Sequence, residues 1–202
     1  MKKISAVFSD IDGTILRNDS TPSPRTVNAI RRLREQGIWF VLVSARPPHA
    51  IRPIAAALGA PDMPLVAYAG GLLLDEADRV LAQVGISPSR AQAIAARCQA
   101  IAPDTSVSVY EGMNWYTDTP QHEGILFERQ VTGLCPTAHT LADLSDLSAV
   151  HKMLCIGPAP SIDRLEEALC HEPDWNVSKS KATFLELQPK QASVIPLVLV
   201  VL

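Results

Sequence analysis

An α/β fold with a doubly wound parallel sheet at its centre is predicted by three features of this sequence. Apolar runs at residues 4–8, 38–43 and 65–68 are short and largely uninterrupted, the pattern of strands buried on both faces of a parallel sheet. Between them lie segments whose apolar residues recur at helical spacing. Beyond Gly85 the order changes to one helix and then a series of strands, the mark of a separate α+β module.

The elements follow in order. Thr21-Pro22-Ser23-Pro24 opens the first helix, with Ser23 suited to cap it and Pro24 at its first position. Val27, Ile30 and Leu33 mark its inner face, and Gly37 suits the left-handed residue just past its end. The second strand ends in Ser44-Ala45-Arg46; residues 47–58 then form a helix that tolerates Pro53 and stops at Gly59. The third strand leads into a hairpin, 72–74 against 79–83, around the acidic turn Asp75-Glu76-Ala77-Asp78. Ser87-Pro88 starts an amphipathic helix with Ala91, Ile94, Ala95, Cys98 and Ile101 inward. Strands at 106–110, 115–117, 152–156, 175–178 and 184–187 follow, with helices around 124–130 and 162–170. The expected domains are a core of residues 1–84 and 180–202, left incomplete, and an inserted α+β cap of residues 85–179.

With 202 residues, 47% of them hydrophobic and 19% charged, the chain can bury a substantial core. A net charge of −3 argues against a nucleic-acid-binding surface. Cys98, Cys135, Cys155 and Cys170 lack C-x-x-C spacing, which speaks against zinc and dithiol sites, and scattered thiols suit a reducing compartment. The first apolar stretch ends at Asp10, too soon for a signal peptide, and the apolar run 194–202 is too short to span a membrane. A cytoplasmic location without a membrane partner is expected. The run 194–202 suits either a buried strand or, if exposed, a self-association surface.

Asp10-Ile11-Asp12-Gly13-Thr14 follows the first strand, at the end where open α/β sheets place their ligands. Two carboxylates two positions apart suit phosphoryl transfer. Asp10 can attack phosphorus and form an acyl phosphate. Asp12 can give a proton to the departing oxygen and later take one from water. Gly13 permits a sharp turn, and Thr14 can hydrogen-bond the loop. A pair of aspartates at a strand end would also serve simply to cap a turn.

The string Phe8-Ser9-Asp10-Ile11-Asp12-Gly13-Thr14-Ile15-Leu16 resembles the first motif of the haloacid dehalogenase (HAD) superfamily, in the form of its Cof-like (class IIB) phosphatases. The resemblance runs from Met1 to about Ser193. It implies a Mg²⁺-dependent phosphatase of small phosphorylated metabolites such as sugar phosphates, with a cap that selects the leaving group. It further implies Asp10 as nucleophile and Asp12 as acid and then base, with Mg²⁺ held by the Asp10 carboxylate and the Asp12 main-chain carbonyl. Ser44 matches the hydroxyl of the second motif, Arg46 the arginine of its T-G-R loop, and Gly70 the glycine of a third loop; these three would bind the substrate phosphate. Taken alone, Ser44 would serve equally as a helix cap and Arg46 as a solvated charge.

Departures from the family pattern are local. Ala45 replaces the glycine of the T-G-R loop, and Ala69 replaces the asparagine of an Asn-Gly pair. Where the family has a lysine that neutralises nucleophile and phosphate, this sequence has Val194, and no Asp or Glu follows Glu186. The pattern therefore reads as truncated, with Lys190 four positions before the place of the missing lysine. The alternative to a phosphatase is a catalytically inert remnant that binds phosphate ligands or a protein partner. In the cap, Glu111, Asn114, Trp115, Tyr116, His122 and Glu123 are conceivable substrate contacts. Trp115 and Tyr116 alternate like strand residues, so one should point into the core, and His122-Glu123 reads as a solvated loop.

Overall fold

The computed structural model describes residues 4–17 and 19–192, and the chain divides into two compact units after Gln83. The expectations for residues 193–202, including Val194 and the apolar tail, lie outside the described residues.

The first unit runs β1 (Ala6–Asp10), α1 (Pro24–Glu35), β2 (Trp39–Val43), α2 (Pro48–Ala57), β3 (Leu65–Ala67), β4 (Leu72–Leu74) and β5 (Val80–Gln83). These strands form one sheet in the order β1-β2-β3-β4-β5. Helical crossovers make β1, β2 and β3 parallel, and short turns make β4 and β5 antiparallel. Ser23 caps α1, its Oγ accepting from Thr26 N at 3.0 Å, with Pro24 at the first position. Val41, Val66 and Leu73 line one face of the sheet, joined by Phe8, Val43 and Ala82. Two details differ from the sequence reading. β1 is half-buried rather than fully buried, because among the described residues it pairs with β2 alone. β3 stops at Ala67, because Tyr68 and Ala69 turn at φ values of 53° and 54°.

The second unit runs α3 (Pro88–Ile101), β6 (Ser106–Glu111), β7 (Asn114–Thr117), α4 (Glu123–Thr132), β8 (Thr137–Ala138), β9 (Lys152–Ile156), α5 (Ala159–Leu169), β10 (Trp175–Lys181) and β11 (Phe184–Pro189). Its sheet has the order β10-β11-β9-β6-β7-β8. Strand alternation sends Val107, Val109, Met153 and Cys155 into a core with Ile94, Leu165 and Trp175. The opposite face carries Ser106, Ser108 and Lys152, all buried. There α4 lies so close that a Cβ on Gly124 would collide with the Ile156 side chain.

The sequence reading assigns residues 180–202 to the first domain, and of these 180–192 are described here. Instead β11 pairs with β9 on one side and β10 on the other. Its alternation explains the placement: Leu185 and Leu187 enter the second unit's core, while Glu186 pairs with Lys152 at 2.7 Å. Lys190 is held here too, its ammonium donating to the Glu172 carbonyl at 2.8 Å.

Several conceivable cap contacts have structural roles. One Glu111 carboxylate oxygen accepts from Ser148 N, Ser148 Oγ and Ala149 N at 2.6, 2.7 and 3.2 Å. His122 caps α4 through Nδ1, which accepts from Gly124 N at 3.1 Å. Trp115 is buried on the face away from the core, and Tyr116 packs against the core half-buried.

Candidate active site

The first loop is built around Ile11, whose side chain is fully buried while Asp10 and Asp12 on either side are exposed. Burying such a side chain contributes about 1.5–3 kcal/mol and anchors the loop. The Ile11 carbonyl accepts from Ile15 N and Leu16 N at 3.1 and 3.2 Å, closing the turn. Gly13, at φ 73°, supplies the left-handed residue that the turn requires. Thr14 Oγ1 lies 3.5 Å from Asp10 Oδ2, at the outer limit of a hydrogen bond.

The second loop extends the parallel pairing of β2 and β3, since Ser44 N donates to Val66 O at 2.9 Å. Ser44 is buried, and its Oγ accepts from Arg46 N at 3.2 Å. A hydroxyl that accepts keeps its own proton to donate. The N-cap of α2 is Pro47, so Ser44 does not cap that helix. The third loop is laced to the second by two backbone bonds: Ala69 N to Ser44 O at 2.9 Å and Tyr68 N to Arg46 O at 3.2 Å. Gly70 follows, buried and at φ 107°.

A side-chain fork joins the first and second loops. Arg46 Nε donates to Asp12 Oδ2 at 3.0 Å, and its terminal nitrogen donates to Oδ1 at 2.8 Å. The two side chains remain 41% and 58% exposed, so solutes can reach the pair. Arg46 is therefore not a free solvated charge but a two-point partner of Asp12, which the sequence reading did not foresee. The residues stand 34 positions apart, and the parallel pairing of Asp10 with Val43 brings their loops together.

Asp10, Asp12, Ser44, Arg46 and Gly70 thus sit on three loops at one end of the sheet. Among the described residues no group of three or more His, Cys, Asp or Glu side chains is placed to hold a metal ion. Also among them, no helix is long and apolar enough to cross a membrane.

The family model for haloacid dehalogenase-like hydrolases matches residues 7–193. The chain belongs to this family. The hydrolase is 34% identical over 189 residues to a Haemophilus influenzae protein named "Putative phosphatase", covering 93% of this chain and 70% of that protein. Its fold matches a haloacid dehalogenase-like hydrolase from Bacteroides thetaiotaomicron with a TM-score of 0.82 at 24% identity, covering 98% of this chain and 76% of the other. TM0651 from Thermotoga maritima matches with a TM-score of 0.83 at 20% identity over 97% and 74% of the two chains. The HAD subclass IIB sugar phosphatase BT4131 matches with a TM-score of 0.73 at 16% identity over 98% and 74%. These findings bear out the expected family and α/β fold, and they place this chain among the haloacid dehalogenase-like hydrolases.

Proposed function

We propose that this hydrolase cleaves small phosphate monoesters, sugar phosphates among them, through a phosphorylated Asp10. The observation that carries the reading is the Asp12–Arg46 fork beside the exposed Asp10 carboxylate. In the first half-reaction an Asp10 oxygen bonds to phosphorus as the ester P–O bond breaks, and Asp12 protonates the departing oxygen. In the second, Asp12 takes a proton from water as the water oxygen attacks phosphorus, releasing phosphate and restoring Asp10. Each Asp12 oxygen accepts from one arm of the Arg46 fork, the Nε arm being the longer at 3.0 Å, and each keeps a second lone pair. An incoming phosphate, a bidentate guanidinium partner itself, competes for the fork. The Ser44 hydroxyl and the Gly70 loop complete the phosphate's surroundings in this reading, and the second unit acts as the cap.

Mg²⁺ takes oxygen ligands octahedrally and commonly uses one or two carboxylates, with waters and substrate phosphate completing the shell. The Asp10 carboxylate and the Asp12 carbonyl are oxygen donors at one strand end and fit that demand. When bound, Mg²⁺ would supply positive charge against the phosphate.

The test is hydrolysis of an aryl phosphate and a panel of sugar phosphates by the full chain, with Mg²⁺ or with EDTA, alongside Asp10→Asn. Turnover above that of the variant and lost with EDTA is the expected result. Turnover equal to that of Asp10→Asn overturns the proposal in favour of an inert phosphate- or partner-binding protein.

A further inference from the structure

The first unit contains a cavity of about 340 Å³ at the opposite end of its sheet, between the C-terminal end of α1 and the starts of β2 and β3. That volume is within the range of small-molecule sites. It lies roughly 13 Å along β2 from the Asp10 end, four residue steps of about 3.3 Å each. Trp39 lines it with an indole left 46% exposed, and Met63 and Pro64 add apolar surface.

Three charged side chains line the same cavity: Arg34, Asp62 and Glu76. Arg34 is already matched, donating to Asp62 Oδ1 at 2.8 Å and to the Gly59 carbonyl at 3.2 Å. Glu76 has no hydrogen-bond or ion-pair partner among the described residues, so it leaves the lining with one uncompensated negative charge. An exposed indole beside an unmatched carboxylate suits an organic cation, since tryptophan offers the strongest aromatic face for one. An anion would meet repulsion from Glu76.

We infer that this cavity binds an organic cation, a substituted ammonium with an apolar body, packed on Trp39 with its charge toward Glu76. The site is independent of the proposed phosphatase chemistry.

Trp39 is the exposed tryptophan, whereas Trp115 and Trp175 are buried, so acrylamide quenching reports on Trp39. The full chain should be titrated with tetraethylammonium chloride, with sodium chloride at equal ionic strength as control. Saturable protection of Trp39 is expected, weakened up to about fivefold in Glu76→Gln, where loss of an exposed charge partner is read. Calorimetry should find no binding to Trp39→Ala, with circular dichroism confirming that both variants are folded. Absence of saturable protection, an undiminished response in Glu76→Gln, or equal protection by inorganic phosphate overturns the inference. Protection that depends on protein concentration rather than on cation also overturns it, and reassigns this face to contact between copies of the chain.

Discussion

One ion pair in each unit shows charge put to opposite uses. At the strand ends of the first unit, Asp12 and Arg46 pair at the surface, 58% and 41% exposed. In the second, Lys152 and Glu186 pair across β9 and β11 with only 9% and 19% of their side chains exposed. An exposed pair contributes about 0–1 kcal/mol and opens readily. A buried one is costly to break because the surviving charge is stranded. The difference teaches that the Asp12–Arg46 pair is held where it can change partners, whereas the Lys152–Glu186 pair is committed to the fold.

Breaking the second unit's pair should have the largest effect. Lys152→Met should destabilise the protein by about 3–5 kcal/mol in urea denaturation, and adding Glu186→Leu should recover most of that loss. If the single variant costs under about 1 kcal/mol, the contrast between the units fails.

Acidification is the next lever. Burial lowers the pKa of His151 to about 4, with the Glu111 charge opposing. Its Nδ1 accepts from Gly112 N at 3.1 Å, which requires the neutral ring on that side. Below about pH 6.5 the unfolded chain takes up a proton that the folded chain refuses, so stability falls as pH drops toward 4, by on the order of 3 kcal/mol in total. His151→Gln should flatten this acid limb. His139 has the opposite sign: its hydrogen bond to Asp146 at 3.0 Å, aided by the Thr140 carbonyl, raises its pKa. Its contribution is present at low pH and lost as pH rises through the raised value, so His139→Gln should flatten the alkaline limb instead.

In the first unit, Arg46→Ala should lower the unfolding free energy in urea by less than about 1 kcal/mol. It should also lower kcat/KM for an aryl phosphate by about a hundredfold, the scale of losing one charged donor at a reacting group. An equal effect on both would make Arg46 a structural residue. The smallest effect concerns Ala69, held at φ 54°. Ala69→Gly relieves a left-handed alanine and should stabilise the protein by about 0.5–1 kcal/mol, read as a rise in thermal midpoint.

Local signals in the sequence reached the elements that local physics decides. Ser23-Pro24 and Gly37 delimited α1, the apolar runs marked β1, β2 and β3, and Asp10 to Thr14 marked the loop after β1. What escaped depended on partners distant in sequence. β11 reads as a strand wherever it sits, and only its pairing with β9 assigns it to the second unit. The Asp12–Arg46 fork needs the parallel register of β1 and β2 before it becomes visible. His122 escaped for another reason: histidine is not among the usual N-cap residues, so its role at α4 had no composition cue.

Ile11 also has a bearing on how this loop tolerates change. One buried side chain between two exposed carboxylates acts as a phase marker for the chain. Substitutions at Asp10 or Asp12 leave that phase intact, so the loop can lose its chemistry while keeping its shape. Inserting or deleting a single codon here would instead move an aspartate into the apolar socket and turn the isoleucine out to water. The loop is thus far more sensitive to its length than to its composition.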